Sequence, residues 1–226
     1  MKRISVTTLE VFRKFITNHP YTSCEDVENA IKGIFTGKKE YVDIGTAFHK
    51  IVEEGEGGYS VVEDKCVVDI GTESPSVTFN TLQVNEALSY KNSMPYAFNE
   101  VEIGKEFKNK YMTIWVGGRC DVLNGCEVRD IKTKFSPVSY MDYYSSCQWA
   151  FYLELLGLDT FSFDFFLFKG YKVDKHGYDV SGLSMIRPDS IDLYRYNSME
   201  GDNRLLVERF CEFVLMSNLY DFLKEH

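Results

Sequence analysis

Two aspartates, Asp121 and Asp130, lie on either side of an Asn124-Gly125 pair that separates two strand-like runs, YMTIWVGGRCDVL and CEVRDIKT. Asn-Gly in that setting is the strongest short hairpin signal. A two-residue turn at Asn124-Gly125 pairs 123 with 126, so that Asp121 faces Val128 and Arg119 faces Asp130. Cross-strand partners share a face and side chains alternate along each strand. Asp121, Asp130, Lys132 and Arg119 are therefore expected on one face. The carboxylates become diagonal neighbours, roughly 7–8 Å apart at the backbone, close enough to ligate one divalent cation. A solvated face of alternating charge has the same composition. Against that reading, two such carboxylates repel unless something cationic sits between them. The spacing leaves both open.

Two helical pairs add candidates. Gly45, His49 and Glu53 fall at i, i+4 and i+8 and share a helix face. His49 is read either as a structural histidine or as a ligand, and Glu53 as solvated. Gln148 and Tyr152 are also four apart, which suits a hydrogen-bonded surface pair.

The elements that must carry these residues follow from periodicity. Helices are expected over 7–17 with Thr7 or Thr8 as N-cap, over 24–35 between Ser23 and Gly37, over 43–54, and over 81–91. The run 66–70 reads as a strand, and from about 99 the pattern turns to strands. A long helix over 139–157 closes at Gly157. TFSFDFFLF (160–168) reads as a buried strand, and YDVSGLSMI as a pairing candidate. Pro188 opens a helical region, interrupted near 201–203, that continues to about 223. This order predicts one α/β domain, 1–226, with a central mixed sheet between helices and with helices at both ends.

The ordered set Gly45-x-x-x-His49, Gly118-x-x-Asp121, Asp130-x-Lys132-Thr133 and Gln148-x-x-x-Tyr152 resembles the RecB-like branch of the PD-(D/E)XK nuclease superfamily, which includes the phage lambda-type exonucleases. The match covers about 45–152, and the opening SVTTLEVFRKF is similar to that branch's first helix. The resemblance implies a restriction-endonuclease-like core and a metal-dependent nuclease, with a DNA exonuclease acting on double-strand ends as the first expectation. An endonuclease, a single-strand nuclease or a catalytically silent nucleic-acid-binding module are the alternatives. It implies Mg²⁺ or Mn²⁺ held by His49, Asp121, Asp130 and the Ile131 carbonyl. Lys132 would orient or deprotonate the attacking water, and Gln148 and Tyr152 would position the scissile strand or brace the site. Glu53 would serve a second or water-mediated metal, and Arg119 and Lys134 would meet substrate phosphates. A toroidal homo-oligomer and a recombination partner protein fall within the same expectation. Asp130 replaces the glutamate of many relatives. Only Cys24 and Cys211 fit the four-cysteine pattern of the iron–sulfur members, so no cluster is expected. No helicase motif accompanies the set, so a stand-alone nuclease is expected.

Composition tests this reading. The 226 residues carry 25 Lys+Arg against 34 Asp+Glu, a net charge of −9, which argues against binding nucleic acid by bulk charge. Residues 104–134 differ. Lys105, Lys108, Lys110, Arg119, Arg129, Lys132 and Lys134 stand against Glu106, Asp121, Glu127 and Asp130, giving 7 − 4 = +3. A phosphate-contacting groove is expected there. No C-x-x-C pair occurs among the six cysteines, no signal peptide is expected at MKRISVTTLEVF, and no apolar run approaches the ~18 residues of a membrane span. Free cysteines, a reducing cytoplasmic setting and no membrane contact are the corresponding expectations.

Overall fold

The computed structural model describes residues 1–71 and 74–226. In chain order the elements are β1 (Lys2–Ser5), α1 (Val6–Ile16), α2 (Cys24–Lys32), α3 (Lys39–Glu54), β2 (Ser60–Val62), β3 (Lys65–Val68), β4 (Val77–Phe79), α4 (Thr81–Asn92), β5 (Phe98–Lys108), β6 (Thr113–Asn124), β7 (Glu127–Lys134), α5 (Tyr140–Tyr144), α6 (Gln148–Leu156), β8 (Thr160–Phe168), α7 (Val173–His176), β9 (Met185–Ile186), β10 (Ile191–Tyr194), α8 (Met199–Met216) and β11 (Lys224–Glu225). The central sheet runs β10-β8-β7-β6-β1-β11, with β5 on the other edge of β6 and β9 beside β8. β7–β8 and β1–β6 are parallel and the remaining pairs antiparallel. A second sheet, β2-β3-β4, is separate. This central mixed sheet flanked by helices is consistent with the expected restriction-endonuclease-like core.

The sheet is buried on two faces, and β8 shows why. Phe161, Phe163 and Phe165 enter one apolar cluster with residues of α1, α2, α6 and α8. Phe166 and Phe168 enter another with residues of α3, α4 and the small sheet. A strand covered on both sides needs a near-continuous apolar run, which TFSFDFFLF supplies. Its buried Asp164 is satisfied by Tyr90 Oη (2.7 Å), Arg129 Nη1 (2.9 Å) and Ser190 Oγ (2.5 Å).

Several boundaries differ from those expected, each for a local reason. The cap of α1 is Ser5, whose side chain accepts the Thr8 N–H. α2 has the expected Ser23 cap, here a full capping box with Asp26, but ends at Gly33, which takes the left-handed conformation at φ +71°. α3 begins at Lys39. The long helix over 139–157 is two, α5 and α6. In an unbroken helix the Cys147 N–H would bond the Tyr143 carbonyl. Instead Glu10 Oε2, reaching across from α1, accepts it at 2.8 Å, while the Gln148 N–H turns to Ser146 Oγ. Of YDVSGLSMI only β9 pairs with β8.

The region after Pro188 opens with a strand rather than a helix: β10 alternates buried Ile191 and Leu193 with exposed Asp192 and Tyr194. α8 then runs unbroken through Gly201-Asp202-Asn203 and ends at Met216. Buried Asn203 there donates to Glu154 of α6 at 2.9 Å. All six cysteines are free thiols. No helix among the described residues is long and apolar enough to cross a membrane.

Candidate functional site

The hairpin that carries the two aspartates turns at Gly125-Cys126, not at Asn124-Gly125, because Asn124 pairs with Glu127, Leu123 with Val128 and Val122 with Arg129. The register is two residues from the expected one, so the facing positions change while each residue's parity is kept. Continued by one step, this register sets Asp130 opposite Asp121. On the other side Asn99 pairs with Val122 and Val101 with Cys120, which sets Glu100 opposite Asp121 as well. Three carboxylates thus line up across three adjacent strands.

Strict alternation, on which the shared face was argued, fails at Asp121. Cys120 packs into the α6 cluster, whereas Val122 packs into the α3 cluster. The cause is a fork in the sheet. One edge of β6 pairs with β1 at Trp115–Gly117 and with β7 only from Val122 onward. Between them the strands part. Ile131, left without a β6 partner, gives its N–H to Asp121 Oδ2 at 2.6 Å. Asp121 and Asp130 therefore converge through the fork rather than by sharing a pleat.

Glu100 sits in the left-handed region at φ +54°. A non-glycine residue there costs about 1–2 kcal/mol, and such outliers collect at functional sites. Its carboxylate, Asp121 and His49 of α3 offer ligating atoms that all lie within 4.8 Å of one another. His49 Nδ1 is 3.6 Å from Asp121 Oδ1, and Nε2 is 3.1 Å from the Ile131 carbonyl. The sequence reasoning did not single out Glu100. Its only trace was its position in NEVEIG, on the polar phase of an alternating strand.

Asp130 is buried beside this group with its oxygens otherwise engaged. Oδ1 accepts from Gln148 Nε2 (2.7 Å), and Oδ2 lies 2.5 Å from Lys132 Nζ. Gln148 Oε1 also accepts from Lys132 (3.3 Å), and Tyr152 Oη donates to the Arg119 carbonyl (3.0 Å). Gln148 and Tyr152 brace the carboxylate, the lysine and the β6 backbone from α6. A Cβ on Gly118 would lie 2.7 Å from the Tyr152 ring, which explains glycine at that position. Gly118→Ala should push Tyr152 off the strand and cost about 1–3 kcal/mol. Thermal unfolding should show the loss, and an unchanged melting temperature would contradict this packing.

Charge is concentrated here. Burial pushes the Asp121 carboxyl well above the usual range, and Asp130 pushes it further. Burial also raises Glu100, against the attraction of Arg119. Burial lowers His49, which favours the neutral imidazole that ligates metals. Burial would lower Lys132, but Asp130 and Asp121 outweigh it and hold the ammonium above its ordinary pKa. Lys132 thus stands as a positive charge and donor beside the carboxylates.

The remaining expected residues stand around this centre. Arg119 is exposed and pairs with Glu100 at 2.5 Å. Glu53 is exposed, near enough to Glu100 to add to its upward shift, and outside the ligand group. Lys134 lies over the Tyr143 ring. With Lys14, Lys132 and Gln148, and with the acidic Glu10 and Asp142, it lines a cavity of about 370 Å³. The donor set is two or three carboxylates, a carbonyl and one imidazole. Its crowded, raised carboxyls beside a neutral imidazole fit a divalent cation.

No family model matches the chain, and no curated protein matches its sequence. Among solved structures it is similar to SSO0001, at 15% identity over 92% of this chain and 74% of that one, with a TM-score of 0.44. It is also similar to a phage related exonuclease from Haemophilus somnus 129PT, at 15% identity over 84% and 93%, with a TM-score of 0.37.

Proposed function

We propose that this chain is a nuclease dependent on Mg²⁺ or Mn²⁺ that hydrolyses phosphodiester bonds in DNA, acting as an exonuclease on double-strand ends. One observation carries the reading: His49, Glu100 and Asp121 gather at a fork in the sheet, directly beside the Asp130–Lys132 pair. Phosphodiester hydrolysis builds negative charge on a pentavalent phosphorus, and a divalent ion bound here would offset it and acidify a water. His49, Asp121 and Glu100 would hold that ion, with Asp130 and the Ile131 carbonyl next to them.

The chain's own residues supply the rest. Lys132 presents a fixed positive charge to the developing oxyanion without having to move. Gln148 fixes the orientation of both Asp130 and Lys132. Lys14 and Lys134 in the adjoining cavity give the phosphate backbone a place to lie. The whole chain acts as one unit in this proposal, since helices from both faces of the sheet contribute.

Incubation with linear and with covalently closed duplex DNA, in Mg²⁺ or Mn²⁺, tests the reading. Degradation of the linear form alone is expected. Nicking of circles would make the protein an endonuclease instead. DNA binding without cleavage in either ion would leave a silent binding module and overturn the proposal.

A further inference from the structure

One face of β6 carries Trp115, Gly117 and Arg119 in strand alternation and runs toward Asp121 at the fork, where the alternation breaks. Opposite them on β5 lie Gly104 against Gly117 and Glu102 against Arg119. Beside them on β1 lie Arg3 against Trp115 and Ser5 against Gly117. All of these but Asp121 border an open groove of about 580 Å³, whose end at Arg119 lies toward the ligand group. The groove floor is bare because it is glycine. A Cβ on Gly104 would come within 2.6 Å of the Trp115 ring carbon Cε2, and one on Gly117 would come within 3.1 Å of its Nε1. The indole therefore lies flat over the sheet. Its outer face is covered by the imidazole of His226, with ring centroids 4.1 Å apart and planes at 10°.

A flat aromatic plate over a glycine floor, with a second heteroaromatic ring already stacked on it, has the form of a nucleobase-stacking platform. Two guanidinium groups flank it. Arg3 is exposed and makes no ion pair among the described residues, and Arg119 leads to Glu100 and the ligand group. Along β6, Asp121 lies six positions beyond Trp115, about 20 Å at strand rise. That is roughly six nucleotides of a stacked strand, fewer if extended.

We propose that this groove is a binding subsite for single-stranded DNA continuous with the candidate metal centre, in which a nucleobase stacks on Trp115 in the place His226 takes here. Arg3 and Arg119 meet the flanking phosphates, and Glu102 sets a local limit on their density. This inference rests on the nuclease reading above and names how that site would hold one strand. His226 competes with the base for the plate.

Trp115 and Trp149 are the two tryptophans of the chain, so Trp149→Phe leaves Trp115 as the sole indole reporter. The probe is a hydrolysis-resistant phosphorothioate oligothymidylate of about ten nucleotides, with Mn²⁺ present. Quenching of Trp115 emission on titration is expected. Trp115→Ala should weaken binding, read independently by anisotropy of a labelled probe, by roughly five- to a hundredfold. Trp115→Phe should restore part of the loss, which a purely structural role would not require. His226→Ala should tighten binding. Binding with unchanged Trp115 emission and unchanged affinity of Trp115→Ala would overturn the subsite, as would the absence of binding. Cleavage of linear duplex DNA by the same preparation is read separately. Cleavage without a Trp115 response sinks the platform alone, and a clear response without cleavage sinks the nuclease reading alone.

Discussion

Lys132→Ala is expected to lower hydrolysis of linear duplex DNA by a factor on the order of 10²–10³, the usual effect of deleting one preorganised positive donor. The ammonium lies 2.5 Å from Asp130 Oδ2 and is held by Gln148. Asp130 and Asp121 keep it charged against the effect of burial, so the field it exerts is constant through neutral pH. The fold should survive, because the Asp130 Oδ1 bond to Gln148 remains. Without divalent ions the variant should still lose stability. Asp130 is only 2% exposed, and a buried acceptor deprived of its partner costs about 1–3 kcal/mol. Mn²⁺ should return most of that loss. Thermal unfolding with and without Mn²⁺, beside the cleavage assay, checks all three statements. Unchanged cleavage would remove Lys132 from the site.

Asp121→Asn should have the opposite signature in the two assays. Its raised pKa means that the charged carboxylate is worse off in the folded chain than in the unfolded one. With the folded pKa above the unfolded value, this destabilisation is relieved as pH falls through the folded pKa. Amidation removes it at neutral pH. Asparagine keeps an oxygen for the Ile131 N–H, so the fork should persist. In chelator the variant should melt no lower than the parent, and higher if the buried charge is the dominant penalty. Cleavage should fall by at least a hundredfold, and the rise in melting temperature that Mn²⁺ gives the parent protein should largely vanish. A variant that is less stable in chelator and still stabilised by Mn²⁺ would show that Asp121 is structural. A site that weakens its own fold until it is loaded fits the general antagonism between function and stability.

Much of this arrangement is legible in the residues, and the misses have identifiable physical causes. The four spaced motifs place His49, Asp121, Asp130, Lys132, Gln148 and Tyr152 on the elements that carry them, because each motif is local to one helix or strand. The Asn-Gly rule finds the hairpin but misplaces its turn by one residue, since Gly125, at φ +61°, also suits the first turn position. The two-residue slip in register kept every parity. A one-residue slip would have exposed Val128 and buried Arg129.

What alternation could not show is the fork. It exists because β1 and β7 share one edge of β6, a long-range fact absent from any window of sequence. Glu100 escaped notice for the same reason, since its place beside Asp121 depends on pairing with β6 and on a left-handed residue inside a strand. β1, with Ile4 its sole buried residue, gives too short a signal to separate from α1. The break between α5 and α6 is imposed by Glu10, 137 residues from Cys147.

The two apolar layers meet their polar residues at one seam. His49 comes from the layer of α3 and α4, Gln148 and Tyr152 from the layer of α1, α6 and α8, and the carboxylates stand on the strands between. Any ion or phosphate engaged there is gripped from both sides, so ligand affinity and cooperativity of unfolding become one linked quantity. Breathing of either layer, in the sense of separate foldons opening at different free energies, loosens the grip. The clasp that closes the two halves into one cooperative unit is then the same small group of residues to which the proposed chemistry falls.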